Sequence, residues 1–327
     1  MAAPSFDILG IGNAIVDVVT RAEDSFLSRH DMHKGTMALI DAPTAEHLYA
    51  VMPPGQESSG GSAANTCAVA AGLGARVAYL GKVAEDQLGT VFAHDMRATG
   101  VHFPSVPLRT SAPTARCLIL VTPDGQRTMN TFLGACVSFS ETDVDTCLVA
   151  DAAVVYLEGY LFDPPAAQAA FRQAAAAAHA AGRQVALSLS DPFCVNRHRS
   201  AFRDLVAGHV DILFANEVEI TSLYETNTFE EAADQARRDV ALAALTRSEA
   251  GSVILRGAQT VTVTAEPVNV VDTTGAGDAY AAGFLTGLTR GRDLAACGRI
   301  ASIAAAEVIG HYGARPLANL RTLIAGV

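Results

Sequence analysis

The chain has no dense basic block and no interleaving of basic with aromatic residues; 23 Lys and Arg stand against 34 Asp and Glu, a net charge of −11 over 327 residues. That balance excludes a broad nucleic-acid or anionic-membrane surface, so any phosphate ligand has to be gripped locally. No apolar run is long enough to read as a membrane span. The alanine-rich stretch Ala166 to Ala181 is broken by Gln168, Arg172, Gln173 and His179 and reads as a soluble helix. The opening "MAAPSFDILGIGN" lacks a basic region followed by a long apolar segment, which gives the expectation of no secretory signal and a cytoplasmic location. The six cysteines (Cys67, Cys117, Cys136, Cys147, Cys194 and Cys297) include no CxxC pair, so reduced, mostly buried thiols are expected in place of a zinc site or disulfide framework. His30 and His33 form an HxxH without a wider metal motif and read as surface residues. There is no internal repeat and no low-complexity linker.

The common phosphate signatures are also missing. "GIGNAI" from Gly10, "GLGARV" from Gly72 and "GAGDAY" from Gly275 each start like GxGxxG but lack its last glycine, so a dinucleotide fingerprint is unsupported. "GKV" at Gly81 lacks the upstream glycine and the following Ser or Thr of a P-loop.

What is present is half apolar residues, ample for a large core, arranged as short β-rich runs alternating with helical segments. "FDILGIG", "RVAYLG", "AAVVYLEG", "QVALSLS", "VDILFAN" and "GSVILRG" read as strands. "ANTCAVAAGLG", "DQLGTVFAHDMRATG" and "PAAQAAFRQAAAAAHAAG" read as helices. Continuous apolar strands separated by helices predict a parallel sheet covered on both faces, an α/β sandwich. Ligands then belong at the carboxyl ends of the strands, where Asn13, Asp191 and Asn216 fall. Residues 18–59 and 106–135 break the rhythm and read as a small β-rich excursion, either a lid or a second packed sheet. The remainder, 1–17, 60–105 and 136–327, forms the large α/β domain.

In "DTTGAGD", Gly275 and Gly277 are expected to permit positive φ and close backbone approach, ahead of the helical spacing of "DAYAAGFLTGL". Consecutive N–H groups opening a helix form an anion hole. Asp278 there fits a base that takes a proton from an attacking hydroxyl during phosphoryl transfer; a helix N-cap is the alternative. "SGGSAANTC" has a similar design, with Gly60 and Gly61 allowing close approach and Ser62 and Asn65 offering polar side chains, or else it is an ordinary capped helix start. Asn13 and Asp17 could share the vicinal hydroxyls of a sugar, or be turn residues. Asn216 and Glu219 have capping-box spacing; the alternative is an outer-shell grip, often through water, on the Mg²⁺ that accompanies ATP.

Assembled, "GIGNAIVD", "GGSAANT", "PTARCLILVTPDGQRTMN", "YLEGYLFDPP", "HVDILFANEVEI" and "DTTGAGDAYAAGF" resemble the ribokinase-like (PfkB) carbohydrate kinases over essentially the whole chain, and within them the adenosine kinases. The resemblance implies a three-layer α/β/α sandwich with a mainly parallel central sheet and a small β lid. It also implies ATP and Mg²⁺ as cofactors and a nucleoside or free-sugar acceptor phosphorylated on a hydroxyl, with adenosine leading. A non-catalytic nucleoside-binding protein is the alternative from another class. By the same resemblance Asp278 is the catalytic base and Gly275, Ala276 and Gly277 the anion hole. Asn13, Asp17, Gly60, Gly61, Ser62 and Asn65 surround the ribose, while Asn216 and Glu219 match the NxxE motif linked to Mg²⁺ and phosphate. Arg127 matches a residue that reaches the transferred phosphate, with a solvated hairpin arginine as the alternative. Ile15, Met37, Leu133 and Tyr160 stand where the base is contacted, or are core residues. Thr246 and Gly251, with the C-terminal "RIASIAAAEVIGHYGA", fall where the adenine and ribose of ATP are held. Thr274 stands where many adenosine kinases of higher organisms have Asn and the family's sugar kinases commonly have Thr. Some relatives dimerise through the lid, so a homodimer is left open.

Overall fold

The computed structural model describes residues 3–109 and 112–327; Thr110 and Ser111, within the second excursion, and the first two residues lie outside the described residues. Its fourteen strands are β1 (Phe6–Ile11), β2 (Ile15–Arg21), β3 (Met37–Leu39), β4 (Gln56–Gly60), β5 (Val77–Leu80), β6 (Val101–His102), β7 (Ala115–Val121), β8 (Arg127–Phe132), β9 (Ala152–Glu158), β10 (Gln184–Ser188), β11 (Ile212–Asn216), β12 (Leu242–Thr246), β13 (Ser252–Arg256) and β14 (Gln259–Val263). Nine form one sheet in the order β14-β13-β12-β11-β10-β9-β1-β5-β6, parallel from β12 to β6.

Both faces of this sheet are covered, which is why its strands are continuously apolar. Ile8, Tyr79, Tyr156, Phe214 and Phe284 belong to the core on one side, with helices Ser62–Gly72, Ala276–Thr289 and Leu294–Ile309. Leu9, Val155, Leu187 and Leu213 face the other, under helices Pro165–Ala180, Pro192–His209, Glu217–Tyr224 and Phe229–Asp239. The alanine-rich helix docks through Ala167, Ala170, Phe171, Ala174, Ala175 and Ala178, a stripe spaced by three and four, and starts at Pro165, where a missing N–H costs nothing. The result is a three-layer α/β/α sandwich.

Two edge details differ from the sequence expectation. The run "GSVILRG" pairs antiparallel as β13, because only residues 247–251 separate it from β12 and a parallel return needs a crossover of about a dozen residues. The short run "LAALT", not singled out as a strand, is β12 inside the sheet.

The other five strands form a second sheet in the order β3-β8-β7-β2-β4. The segment 18–59 is less purely β than expected: it contains helices Asp24–Arg29 and Ala42–Val51, the latter capped by Asp41 accepting from Thr44 N at 2.9 Å. These helices lie against one face of the sheet, where Val16, Val18, Leu118 and Leu120 are buried. On the opposite face, register aligns Asp17 with Cys117, Thr131 and Leu39 in one cross-strand row, and Val19 with Ile119, Met129 and Met37 in the next. Of the six cysteines, all free, five are buried and Cys147 is exposed. Among the described residues no helix is long and apolar enough to cross a membrane.

Candidate active site

Helix Ala276–Thr289 begins at the glycine-rich turn. Gly275 is its N-cap residue, left-handed at φ +79°, and packs so closely on Ala314 that a Cβ there would lie 2.6 Å from the Ala314 methyl. Gly277 corrects the sequence expectation, since it lies within the helix and only Gly275 takes positive φ. Its requirement is space: a Cβ on Gly277 would meet nothing within 4 Å, so the backbone here borders an open volume. Ala276 N, expected in the anion hole, is taken up by Thr273 O at 3.2 Å; the Gly277 and Asp278 N–H groups lie in the first turn, where helix geometry provides no acceptor. Together with the dipole they can receive an anion.

Asp278 is not the cap. It stands three residues past Gly275, and its carboxylate accepts instead from another helix, from Ser62 Oγ at 2.6 Å and Asn65 Nδ2 at 3.1 Å. Burial pushes the Asp278 carboxyl above its ordinary range, while these two bonds and the positive charge of Arg315 pull it back. Such opposition suits a base, which has to be ionised yet willing to take a proton.

The helix carrying Ser62 and Asn65 opens at Gly61, with φ +94° and no capping side chain, so this is not an ordinary side-chain-capped start. At Gly60 a Cβ would collide with the Asp17 carboxylate at 2.3 Å, so the absence of a side chain lets β4 lie against Asp17 on β2. Asp17 is pushed up to about 6, chiefly by burial, against the pull of Arg315 and Arg127 and with Asp278 adding to the rise. Asn13, buried after β1, donates from Nδ2 to Glu158 Oε1 at 2.8 Å and from its backbone N–H to the same oxygen at 3.2 Å. Glu158 Oε2 accepts from Ala63 N at 2.7 Å, so one carboxylate at the end of β9 fixes both the β1 exit and the Ser62 helix. Burial raises Glu158 to about 7, offset by those N–H donors.

Arg127 is no solvated hairpin residue. Its side chain is 10% exposed, pairs through Nη1 with Asp272 and donates to Thr274 Oγ1 at 3.0 Å. Asp272 in turn accepts from Thr274 N and Gly313 N, both at 3.0 Å. The second sheet is thereby joined to the glycine-rich turn.

Asn216 and Glu219 form the capping box in full: Asn216 Oδ1 accepts from Glu219 N at 2.8 Å, and Glu219 accepts from Asn216 N at 3.0 Å and Nδ2 at 2.7 Å. Burial raises Glu219 to about 7, and Asp191 and Asp278 raise it further by like charge. Asp191 itself caps helix Pro192–His209, accepting from Phe193 N at 2.6 Å and Cys194 N at 3.3 Å, and among the described residues no group of three acidic, histidine or cysteine side chains is placed to hold a metal ion directly. Thr246 is the register partner of Asn216 at the same end of the sheet. Gly251 has a structural reason of its own: at φ +85° it closes the turn between β12 and β13, where a Cβ would strike Val263 O.

Of the apolar candidates, Ile15 and Met37 occupy the Asp17 face of the second sheet, Met37 half exposed. Leu133 follows β8 at the start of the short turn Gly134–Ser138. Tyr160 follows Glu158, is 40% exposed, and lies within electrostatic reach of Asp191, Asp278, Glu219 and Glu158, whose negative charges together with burial raise its phenol. Sequence reading did not single out Glu158, Asp272 or Arg315. A charge ending the apolar run "AAVVYLE" was the available signal for Glu158, and none marked Arg315.

Comparison with known proteins places the chain among kinases. The adenosine kinase of Sinorhizobium meliloti is 55% identical, with 98% of each chain covered and a TM-score of 0.90. The adenosine kinase of Saccharomyces cerevisiae is 28% identical over 90% of this chain and 91% of that protein. An ATP-dependent ribose-1-phosphate kinase from Halopiger xanaduensis is 31% identical over 80% and 83%. Residues 49–320 match the pfkB family carbohydrate kinase description, and the chain belongs to that family.

Proposed function

We propose that the protein phosphorylates the 5′-hydroxyl of a nucleoside at the expense of ATP, with adenosine the leading substrate, giving AMP and ADP. The observation that carries the reading is Asp278 held by Ser62 and Asn65 beside the first-turn N–H groups of Gly277 and Asp278, next to a volume that Gly277 leaves empty. Asp278 takes the hydroxyl proton as that oxygen bonds to the γ-phosphorus, the bridging oxygen leaves with ADP, and the first-turn N–H groups stabilise the charge on the transferred group. Mg²⁺, when bound, would neutralise phosphate charge, and Glu219 would hold it through water. Arg127, the first residue of β8, exchanges Asp272 for the transferred phosphate. Asp17 and Asn13 hold the ribose hydroxyls.

A base fits better than a bare sugar because the Asp17 face of the second sheet is apolar and open, Met37 being 51% and Leu39 57% exposed. A nucleobase would bury that surface. The second sheet then serves as a lid that excludes water, a competing acceptor. A sugar acceptor is the second reading, favoured by the ribose-1-phosphate kinase relative and by Thr274.

The test is ADP release with Mg·ATP across adenosine, inosine, guanosine, cytidine, ribose and fructose, with Asp278→Asn as control. Adenosine-dependent turnover lost in the variant supports substrate and base together. Turnover confined to ribose or fructose overturns the nucleoside reading, and binding without turnover for any acceptor overturns the enzyme.

A further inference from the structure

Three consecutive residues near the C-terminus touch three parts of the site. Gly313 N donates to Asp272, the partner of Arg127. Ala314 packs against Gly275, the left-handed residue that sets the direction of the anion-hole turn. Arg315 reaches across to the second sheet, where Nη2 donates to Ser59 O at 2.9 Å and Ser59 Oγ at 3.1 Å on β4, one residue before Gly60. The remaining nitrogen, Nη1, is buried and has no hydrogen-bond partner. A guanidinium donor shut off from water without an acceptor is costly, and such groups persist where their charge or position is used.

We propose that Arg315 is a positioning residue that ties β4 of the second sheet to the anion-hole turn and presents positive charge to both Asp17 and Asp278. The proposal rests on the kinase reading above and adds to it a reason why sugar-side and phosphate-side groups are held in one frame. Arg315 is bonded to the backbone beside Gly60, which abuts Asp17, while its chain neighbour Ala314 backs the turn that leads to Asp278. The charged and titratable groups around the guanidinium are Asp17 on β2, Asp278 on its helix, Cys67 on the Ser62 helix and Asp95 on helix Gln87–Ala98. Asp95 accepts from Ser59 N at 2.9 Å, so Ser59 is gripped from both sides. Among them Arg315 favours the ionised forms of Asp17 and Asp278. It thus opposes the burial that would leave the base protonated.

The experiment compares pH profiles of kcat and kcat/KM for the wild type, Arg315→Met and Arg315→Lys with adenosine and Mg·ATP, after thermal melts establish that each is folded. Arg315→Met removes the charge at similar volume. The proposal expects its acid limb to move up by about one pH unit, a loss of ~10-fold on the acid side of the limb that vanishes on the alkaline side, and restoration of the limb in Arg315→Lys. A rate loss equal at every pH, or an unshifted limb in a folded Arg315→Met, overturns it. Should Arg315→Met not fold, Ser59→Ala decides: it keeps the charge and removes one anchor, and the proposal expects a drop in kcat of ~3-fold or more at unchanged KM for ATP. Unchanged kcat overturns the proposal. An inactive wild type overturns the functional reading itself, whereas an active wild type with unshifted variants overturns the role of Arg315 alone.

Discussion

The two sheets of this protein solve different problems with similar residues. The nine-stranded sheet is sealed on both faces, with Leu9, Val155 and Leu157 on one side and Ile8, Val154 and Tyr156 on the other wholly or almost wholly buried. The five-stranded sheet is sealed on one face by two helices and leaves Met37 and Leu39 more than half exposed on the other. Apolar surface is therefore covered on both faces of the first sheet, and on one face of the second it is left open. Polar residues follow the same division: those at the ends of the large sheet hold backbone in place, as Glu158 and Asn216 do, while Asp17 stands in the middle of a strand on the open face.

The comparison breaks most sharply at Asp278, which belongs to the large unit yet should have little effect on stability. Asp278→Asn should lower kcat by about 10²- to 10⁴-fold, the usual worth of a general base, with nucleoside affinity retained; steady-state turnover and calorimetric titration check both halves. A large stability effect should follow from the link between units. Arg127→Met leaves the buried Asp272 carboxylate without its cation and should destabilise the fold by about 3 kcal/mol in urea unfolding, besides slowing turnover. Removal of Asp272 as well should recover much of that loss, since the pair is worth less than either buried charge alone.

Asp17 separates binding from stability through pH. Its carboxyl titrates at about 6, so nucleoside binding should weaken by about tenfold for each pH unit below 6, and Asp17→Asn should bind weakly at every pH. The stability contribution has the opposite sign. The folded form holds the proton more tightly than the unfolded form with its value of 3.8, so the contribution of Asp17 to stability is lost as pH rises from about 4 through about 6 and is flat above. Denaturant titrations of wild type and Asp17→Asn across that window should differ in slope. The smallest effect sharpens the contrast of the sheets: Met37→Ser should raise KM for a nucleoside by several-fold and leave the unfolding midpoint nearly unchanged, whereas Leu157→Ala should cost about 2–5 kcal/mol and leave KM alone.

The sandwich was legible because a strand buried on both faces has to be apolar throughout, and "FDILGI" and "AAVVYLE" announce that locally. The proposed base was legible because a glycine turn running into a helix with an acid in its first turn is a local pattern too. The edge of the sheet was not, because the direction of β13 depends on the length of one turn. Nor were the partners of Asp278, Arg127 and Arg315, which lie 216, 145 and 256 residues away. No window of sequence contains them, and only the crossing of the chain from one sheet to the other brings them together. That Asp278 is not the helix cap needed the same information, since the side chain had to be seen turning toward Ser62.

Gly277 carries a consequence for anyone who would engineer this protein. Its backbone is helical and a methyl group would touch nothing, so by every criterion of a stability screen alanine is the better residue, worth roughly 0.5–1 kcal/mol. Selection on heat resistance alone would accept that exchange early and fill space that the proposed phosphoryl transfer uses. The chain keeps its glycine at the cost of a sturdier helix, and a library ranked by melting temperature would discard the enzyme while improving the fold.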